Sequence, residues 1–457
     1  MKHIIISSIF LFFTFTNFAQ FSEAHIVATN AIGATYVHTA DLNGNGFMDV
    51  IVASIGNKSL EWYQNLDGLG NFGAKQVITE LENEYRFAAT ADLDNDGDLD
   101  IITTALFDNF VVWFKNIDGQ GTFSDKIIID STLDRPQMLN AGDIDNDGDL
   151  DLVCPSSFDN RITWFENIDG LGNYIISQTI TTIATTPRSL FLSDFDDDGD
   201  LDLVSDSSSI NNQPAWHENL DGLGEFSTEQ VIAVSNFGTQ WVIADDLDGD
   251  NDNDIITVEF GGDTIAWFKN TDGLGTFGTK QIITTNVDAP YQVVSADIDN
   301  DGYIDLVYVS GADSKIAWQK NDGFGNFEEQ QIIALDQYLP KTVAVADFDG
   351  DGYLDVVTAS IADFTVAWYK NQTYLGVEEN SLQNIILAPN PTKGLVTLHN
   401  NTIPIKTITI YDIVGKIVGH TSKGLNNQIN LSNLKTGIYL IHIKTSQGVI
   451  IKKIIKE

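Results

Sequence analysis

The sequence predicts an all-β protein: a seven-bladed β-propeller of four-stranded blades, then a small β-sandwich. Three observations predict it. An aspartate-rich segment of the form D-I-D-N-D-G-D-L-D recurs about every 51 residues, starting at Asp41, Asp92, Asp143, Asp194, Asp246, Asp297 and Asp347. A fixed period of this size marks a solenoid, propeller or array. Each repeat supplies four short β-type runs separated by turn residues, which is one blade. The seventh repeat lacks its fourth run, and a matching run stands ahead of the first repeat.

The chain opens with Lys2, an apolar stretch from Ile4 to Phe15, and Asn17-Phe18-Ala19 before Gln20. Residues 1–19 therefore read as a secretory signal peptide. The stretch is too short to span a bilayer, so no transmembrane segment is expected after cleavage. No cysteine follows the cleavage point, which argues against a lipid anchor. Next, Phe21 to Val27 mimics Phe72 to Ile78, the fourth run of a blade. This N-terminal strand is expected to complete the last blade and so remove an exposed sheet edge.

The aspartate segment has the spacing of a cation loop. Side chains at positions 1, 3, 5 and 9 and the backbone carbonyl at 7 can converge on one ion, and calcium takes six to eight oxygens. The expected ligands are Asp41, Asn43, Asn45, Phe47 and Asp49 in the first loop, and Asp92, Asp94, Asp96, Asp98 and Asp100 in the second. Asp143, Asp145, Asp147, Asp149 and Asp151 form the third set, and Asp194, Asp196, Asp198, Asp200 and Asp202 the fourth. The fifth is Asp246, Asp248, Asp250, Asp252 and Asp254. Asp297, Asp299, Asp301, Tyr303 and Asp305 make the sixth, and Asp347, Asp349, Asp351, Tyr353 and Asp355 the seventh. Up to seven structural calcium ions, one per blade, are expected. The first loop has only two carboxylates and should be the weakest site, because ligand charge tunes affinity. The sixth position must turn sharply. It is Gly97, Gly148, Gly199, Gly302 or Gly352, with Asn251 in the fifth loop.

After each loop comes an apolar run, a polar tip, and a run ending in W-x-x-N-x-D-G-x-G-x-F, as from Trp62 to Phe72 or Trp113 to Phe123. D-G-x-G is a hairpin turn signal. The repeated tryptophans are expected in the blade core. The lone Cys154 cannot form an internal disulfide and reads as a buried small apolar residue.

These loops and motifs resemble FG-GAP or VCBS repeats, the calcium-loop blades also found in integrin-like propellers. The resemblance covers residues 20–374. It implies a calcium-stabilised propeller. It leaves function open, since the family includes adhesion and carbohydrate-associated proteins and a few enzymes.

Composition shifts after Tyr374. Residues 375–384 read as a linker. From Leu375 onward there are nine lysines and four acidic residues, net +5, in a chain of net charge −41. The tail, 385–457, carries Ala388-Pro389-Asn390-Pro391-Thr392-Lys393-Gly394, then Thr409 to Lys416, then Leu434-Lys435-Thr436-Gly437-Ile438-Tyr439-Leu440. It resembles the C-terminal sorting domain of the Bacteroidetes type IX secretion system. That implies a partner in the secretion machinery, passage through the periplasm, and release or anchoring at the outer-membrane surface. The strong acidity excludes nucleic acid as an expected partner. A monomer is expected.

Nothing resembles a nucleophile elbow, a zinc site or a phosphate loop. One position is polar but differs from blade to blade. Six residues before each loop stand Thr35, Arg86, Gln137, Arg188, Gln240, Tyr291 and Lys341. In the resembled propellers this strand is innermost and starts on the face opposite the calcium loops. These side chains are thus expected to ring the mouth of the central channel. Arg135 and Arg161, the other two arginines of the chain, belong to the same face, and Trp241 adjoins Gln240. Arginine binds carboxylates bidentately, and the aromatics offer stacking surfaces for sugars. The expected function is a secreted or surface-anchored binding or adhesion module for an acidic polysaccharide, a surface glycan or a surface protein, rather than an enzyme. The alternatives are a polysaccharide lyase or sugar dehydratase using Tyr291, Lys341 and Arg86, and a structural surface-matrix protein.

Overall fold

The computed structural model describes residues 20–80, 84–181, 185–206, 214–234, 237–372, 386–399, 405–412, 416–422, 428–445 and 449–457. The expected signal peptide and linker lie outside these residues. The chain divides into two compact units, residues 1–373 and 374–457.

Among the described residues the first unit contains seven four-stranded antiparallel sheets. Blade one shows the plan: strands Ala34–Ala40, Asp49–Ser54, Ser59–Tyr63 and Gln76–Glu80, hydrogen-bonded in that order. The second strand of every blade is buried on both faces, which is why runs such as Val50-Ile51-Val52-Ala53 are apolar without alternation. The first strand of blade one lies against the first strands of blades two (Tyr85–Ala91) and seven (Pro340–Ala346). The first strands are therefore innermost. The core lies between adjacent sheets: Ile51, Leu60 and Trp62 of blade one pack on Tyr85, Ile101 and Val112 of blade two.

Blade seven closes as expected. His25–Ala28 pairs antiparallel with Val366–Tyr369, and Phe21 bridges Asn371. His25 also stacks on Trp368, with ring centroids 4.7 Å apart.

Two features of the tryptophan motif join one blade to the next. The motif asparagines Asn65, Asn116, Asn167, Asn219, Asn270, Asn321 and Asn371 are fully buried. Each side-chain amide donates to the carbonyl of the second loop residue in the preceding blade, at 2.7–3.0 Å. Asn65 donates to Phe348 of blade seven, so the chain of bonds runs once around and closes. The second glycine of D-G-x-G meets the tryptophan of the preceding blade. A Cβ at Gly275 would stand 2.2 Å from the Trp216 ring, and one at Gly121 2.5 Å from Trp62. The motif tryptophans are buried between blades, as expected.

The second unit has a three-stranded sheet (Ile386–Ala388, Leu395–His399, Gln428–Asn430) and a four-stranded one (Ile417–Ser422, Ile405–Asp412, Gly437–Thr445, Val449–Lys456). Val396, Leu398 and Ile429 of the first share a core with Ile408, Ile441 and Ile443 of the second. That is the expected small β-sandwich.

Candidate functional site

Antiparallel strands put successive turns on alternate ends of a blade. The aspartate loops (turn 1–2) and the D-G-x-G turns (3–4) share one face of the disc. The 2–3 turns and the blade-to-blade links occupy the other.

On the aspartate face each loop is held by its first and ninth residues. Asp92 accepts from the amide of Gly97, and Asp297 from that of Gly302. The sixth residue is left-handed throughout: φ is 92° at Gly97, 89° at Gly302 and 69° at Asn251. A Cβ at Gly97 would meet nothing within 4 Å, so conformation and not space selects glycine there. The ninth aspartates are fully buried. Each accepts one backbone amide from loop position 2 and one from the motif asparagine; for Asp305 these are Ile298 at 3.1 Å and Asn321 at 2.8 Å. Burial pushes Asp305 and Asp202 up to about 7, against the pull of those amides.

These loops fit a cation. In Asp92/Asp94/Asp96, Asp143/Asp145/Asp147, Asp194/Asp196/Asp202, Asp246/Asp248/Asp250 and Asp297/Asp299/Asp305, one oxygen per residue lies within 4.8 Å of the others. Moreover, Oδ1 of Asp94, Asp143, Asp196, Asp248, Asp299 and Asp349 is buried without a hydrogen-bond partner, one in each loop from the second to the seventh. Buried carboxylate oxygens without donors are costly unless a cation meets them. In the first loop the Asn43 amide donates to Asp49 at 3.1 Å, and no such orphan occurs there among the described residues. The expected position-7 residues stand beside the D-G-x-G turn; the Asp98 side chain lies over Gly119 and Tyr303 over Gly323.

Sequence reading missed one partner of these loops. Lys115, Lys269, Lys320 and Lys370 each pair with the position-3 and position-5 carboxylates of their own loop: Asp94 and Asp96, Asp248 and Asp250, Asp299 and Asp301, Asp349 and Asp351. The second contact of each pair spans 2.7–3.0 Å. The signal was present as the residue two after each tryptophan.

On the opposite face the structure gathers most of the variable ring. Thr35, Arg86, Arg188, Gln240, Trp241, Tyr291 and Lys341 line a narrow recess at the channel mouth. It opens into a cavity of about 590 Å³ that also includes Arg135 and Gln137. Arg161 is not among the lining residues. Its Nε pairs with Asp159 at 2.8 Å and its Nη2 donates to the Thr132 carbonyl. Gln137 is largely buried and donates to Ser157 Oγ at 2.8 Å.

The cavity is cationic and aromatic. Four cations line it (Arg86, Arg135, Arg188, Lys341) and, among the described residues, no carboxylate does, in a chain of net charge −41 with 24 basic residues. Burial, then the Arg188 charge, brings Arg86 down to about 10. Burial, then Arg86 and Arg188, brings Lys341 down to about 8. Lys341 Nζ lies 5.0 Å from the Tyr291 ring centroid, and Tyr291 is 5.1 Å from Phe260. The Arg135 guanidinium lies 3.7 Å from the Phe158 ring and 4.8 Å from Phe107. Phe107 and Phe158 are about half exposed. Both come from 2–3 turns, which sequence reading passed over because no repeat phase marks them. The Trp241 indole N–H is buried without a partner.

The remaining histidines of this unit do not join the cavity. His38 lies deeper in the channel, bonded to Thr90 Oγ1 at 3.0 Å, and burial lowers it to about 4. His217 is buried beside Ser205.

The comparisons agree with this architecture. The FG-GAP-like repeat family matches residues 41–103, 143–205, 246–308 and 297–358, more than half of the chain, and the chain belongs to that family. A secretion system C-terminal sorting domain matches residues 387–457. No curated protein matches the chain. Among solved structures, an Agrocybe aegerita lectin described by its recognition of non-reducing terminal N-acetylglucosamine shares 18% identity. That match covers 71% of this chain and 85% of the lectin, with a TM-score of 0.50. BBS1N, solved in complex with ARL6DN, shares 10% identity, covers 77% of this chain and 96% of its own, and has a TM-score of 0.53. At these identities the likeness establishes the fold alone. The chain is thus a secreted propeller of FG-GAP-like repeats whose tail addresses it to the type IX secretion system and the cell surface. No helix among the described residues is long and apolar enough to cross a membrane.

Proposed function

We propose that this protein is a calcium-stabilised surface propeller that binds an anionic saccharide, such as a uronic-acid polymer, in the cavity opposite its metal loops. One observation carries the reading. Three of the four arginines and Lys341 line a single cavity with Tyr291 and Trp241, and no acidic residue among the described ones lines it. Burial first, and then the neighbouring cations, disfavour the charged forms of Arg86 and Lys341 and lower their pKa values. An anionic ligand relieves that repulsion. Guanidinium groups pair with sugar carboxylates and aromatic faces stack on pyranose rings. The lectin of the same fold supports the scaffold's capacity for sugar binding; the ligand class rests on the cavity itself. Calcium in the loops is structural on this reading, since loops and cavity sit on opposite faces.

The test is a binding screen of the secreted chain, in calcium, against neutral and uronic-acid polysaccharides. Selective binding of the acidic polymers is expected, with an Arg86→Ala/Arg188→Ala double variant losing it. Equal binding to neutral glucans, or binding unchanged in the double variant, rejects the site. The Lys341–Tyr291 contact supports a second reading, elimination chemistry on the same ligand. Unsaturated products released during the screen would establish it.

A further inference from the structure

The seven loops differ in what faces them from the third strand. Two residues after the blade tryptophan stand Gln64, Lys115, Glu166, Glu218, Lys269, Lys320 and Lys370, in blade order. In blades two, five, six and seven the ammonium rests on the carboxylates at positions 3 and 5. Blades three and four carry a glutamate there, and among the described residues no basic side chain pairs with their loops.

We propose that this residue sorts the calcium sites: loops three and four are the tight ones, whereas loops two, five, six and seven keep a lysine as a resident cation that calcium must displace. The proposal rests on the reading that the loops bind calcium.

Charge comes first. A lysine supplies one positive charge where an ion would supply two, so it partly neutralises the loop and competes for the same oxygens. A glutamate instead adds negative charge beside the ion, and more ligand charge tightens calcium binding. Geometry allows the exchange. The four lysines retain 27–33% side-chain exposure, and a flexible four-carbon stem can swing into water. An orphaned buried oxygen persists beside each ammonium, at Asp94, Asp248, Asp299 and Asp349. The lysine therefore only partly satisfies the loop, and calcium still has a place there.

The strands carry an independent correlate. The first strands of blades three and four are Asn140–Gly142 and Leu190–Ser193, three and four residues long. The other five blades have seven-residue first strands. The two blades with a glutamate at that position are those with the shortest inner strands, where a bound ion matters most to local order; blade one, with Gln64, keeps a seven-residue strand.

The experiment is native mass spectrometry of the full secreted chain across buffered free-calcium levels, with competition against a fluorescent chelator for affinities. Two ions should remain after the others are stripped, with a gap of at least about tenfold between the classes. Each of Lys115→Gln, Lys269→Gln, Lys320→Gln and Lys370→Gln should move one further ion toward the tight class. Glu166→Lys or Glu218→Lys should each remove one tight ion, and the milder Glu166→Gln and Glu218→Gln should weaken the same ion. Circular dichroism of each variant separates altered affinity from misfolding. A single class of equal sites, or affinities unmoved by the Lys→Gln variants, overturns the sorting while leaving calcium binding intact. No calcium retained at any level overturns both.

Discussion

Two aspartates of one loop, six residues apart, do opposite things to the metal-free protein. Asp202 at position 9 accepts backbone amides from Phe195 at 3.2 Å and Asn219 at 2.7 Å, and the Trp216 indole N–H as well. Asp196 at position 3 has a buried Oδ1 with no partner, and burial, Asp198 and Glu218 together raise it to about 6. Asp202 is therefore part of the fold whether or not an ion is bound, whereas Asp196 is a burden until one arrives. Asp202→Ala should destabilise the protein in excess chelator by about 3 kcal/mol, because two or three bonds to the carboxylate are lost, and by more in calcium, where a ligand is lost as well. Asp196→Asn should destabilise it in calcium but stabilise it in chelator, where it removes a repelled carboxylate. Denaturant melts of both variants with and without calcium check this. The same sign for Asp196→Asn in both conditions would mean that no cation bears on that oxygen.

At the scale of the blade, the repeat period and the missing seventh fourth strand made the architecture legible, including closure by Phe21 to Ala28. Two inter-blade devices were not legible. The motif asparagine and the second glycine of D-G-x-G read locally as a hairpin, and their partners lie one blade back, roughly 74 residues away for the Asn116–Leu42 bond. Sequence spacing within a repeat carries no information about what the preceding repeat presents. The lysines were overlooked for a related reason: the position alternates between Lys, Glu and Gln and so stood outside the repeated pattern. The variable ring was legible because it was the polar exception among repeating neighbours. Arg161 was expected on the same face by its loop position; it pairs there with Asp159 and does not line the cavity. The two kinds of glycine predict opposite tolerances. Gly97→Asn should cost under about 1 kcal/mol, since the site is open and asparagine already serves at Asn251. Gly275→Ala should cost more than about 2 kcal/mol, because its Cβ would lie within the Trp216 ring contact and no backbone shift is free of the next blade. Thermal unfolding of the pair decides it; equal losses would mean that the tryptophan contact is slack.

Across the propeller, the aspartate loops lie on one face and the four cavity cations on the other, so pH should act on the cavity separately. Among the cavity cations, Lys341 is the one that titrates nearest neutrality. Its folded pKa of about 8 lies below the ordinary lysine value of 10.5. With a depressed lysine, the charged form is disfavoured in the folded state, so folding loses stability as pH falls from the unfolded value toward 8. Ligand binding follows the opposite course. The ammonium that would pair with a carboxylate is present below about 8 and lost above it, while Arg86, at about 10, stays charged. Affinity for a uronic-acid polymer should therefore hold from pH 6 to 7 and weaken as pH rises through about 8. A bound anion shifts that midpoint upward, because an opposite charge favours the protonated amine. Lys341→Met should bind weakly and without the step. Lys341→Arg should bind with the step displaced beyond the measurable range. Titration calorimetry of the three proteins between pH 6 and 10 reads both quantities. A step that persists in Lys341→Met would assign the transition to another group and remove Lys341 from the site.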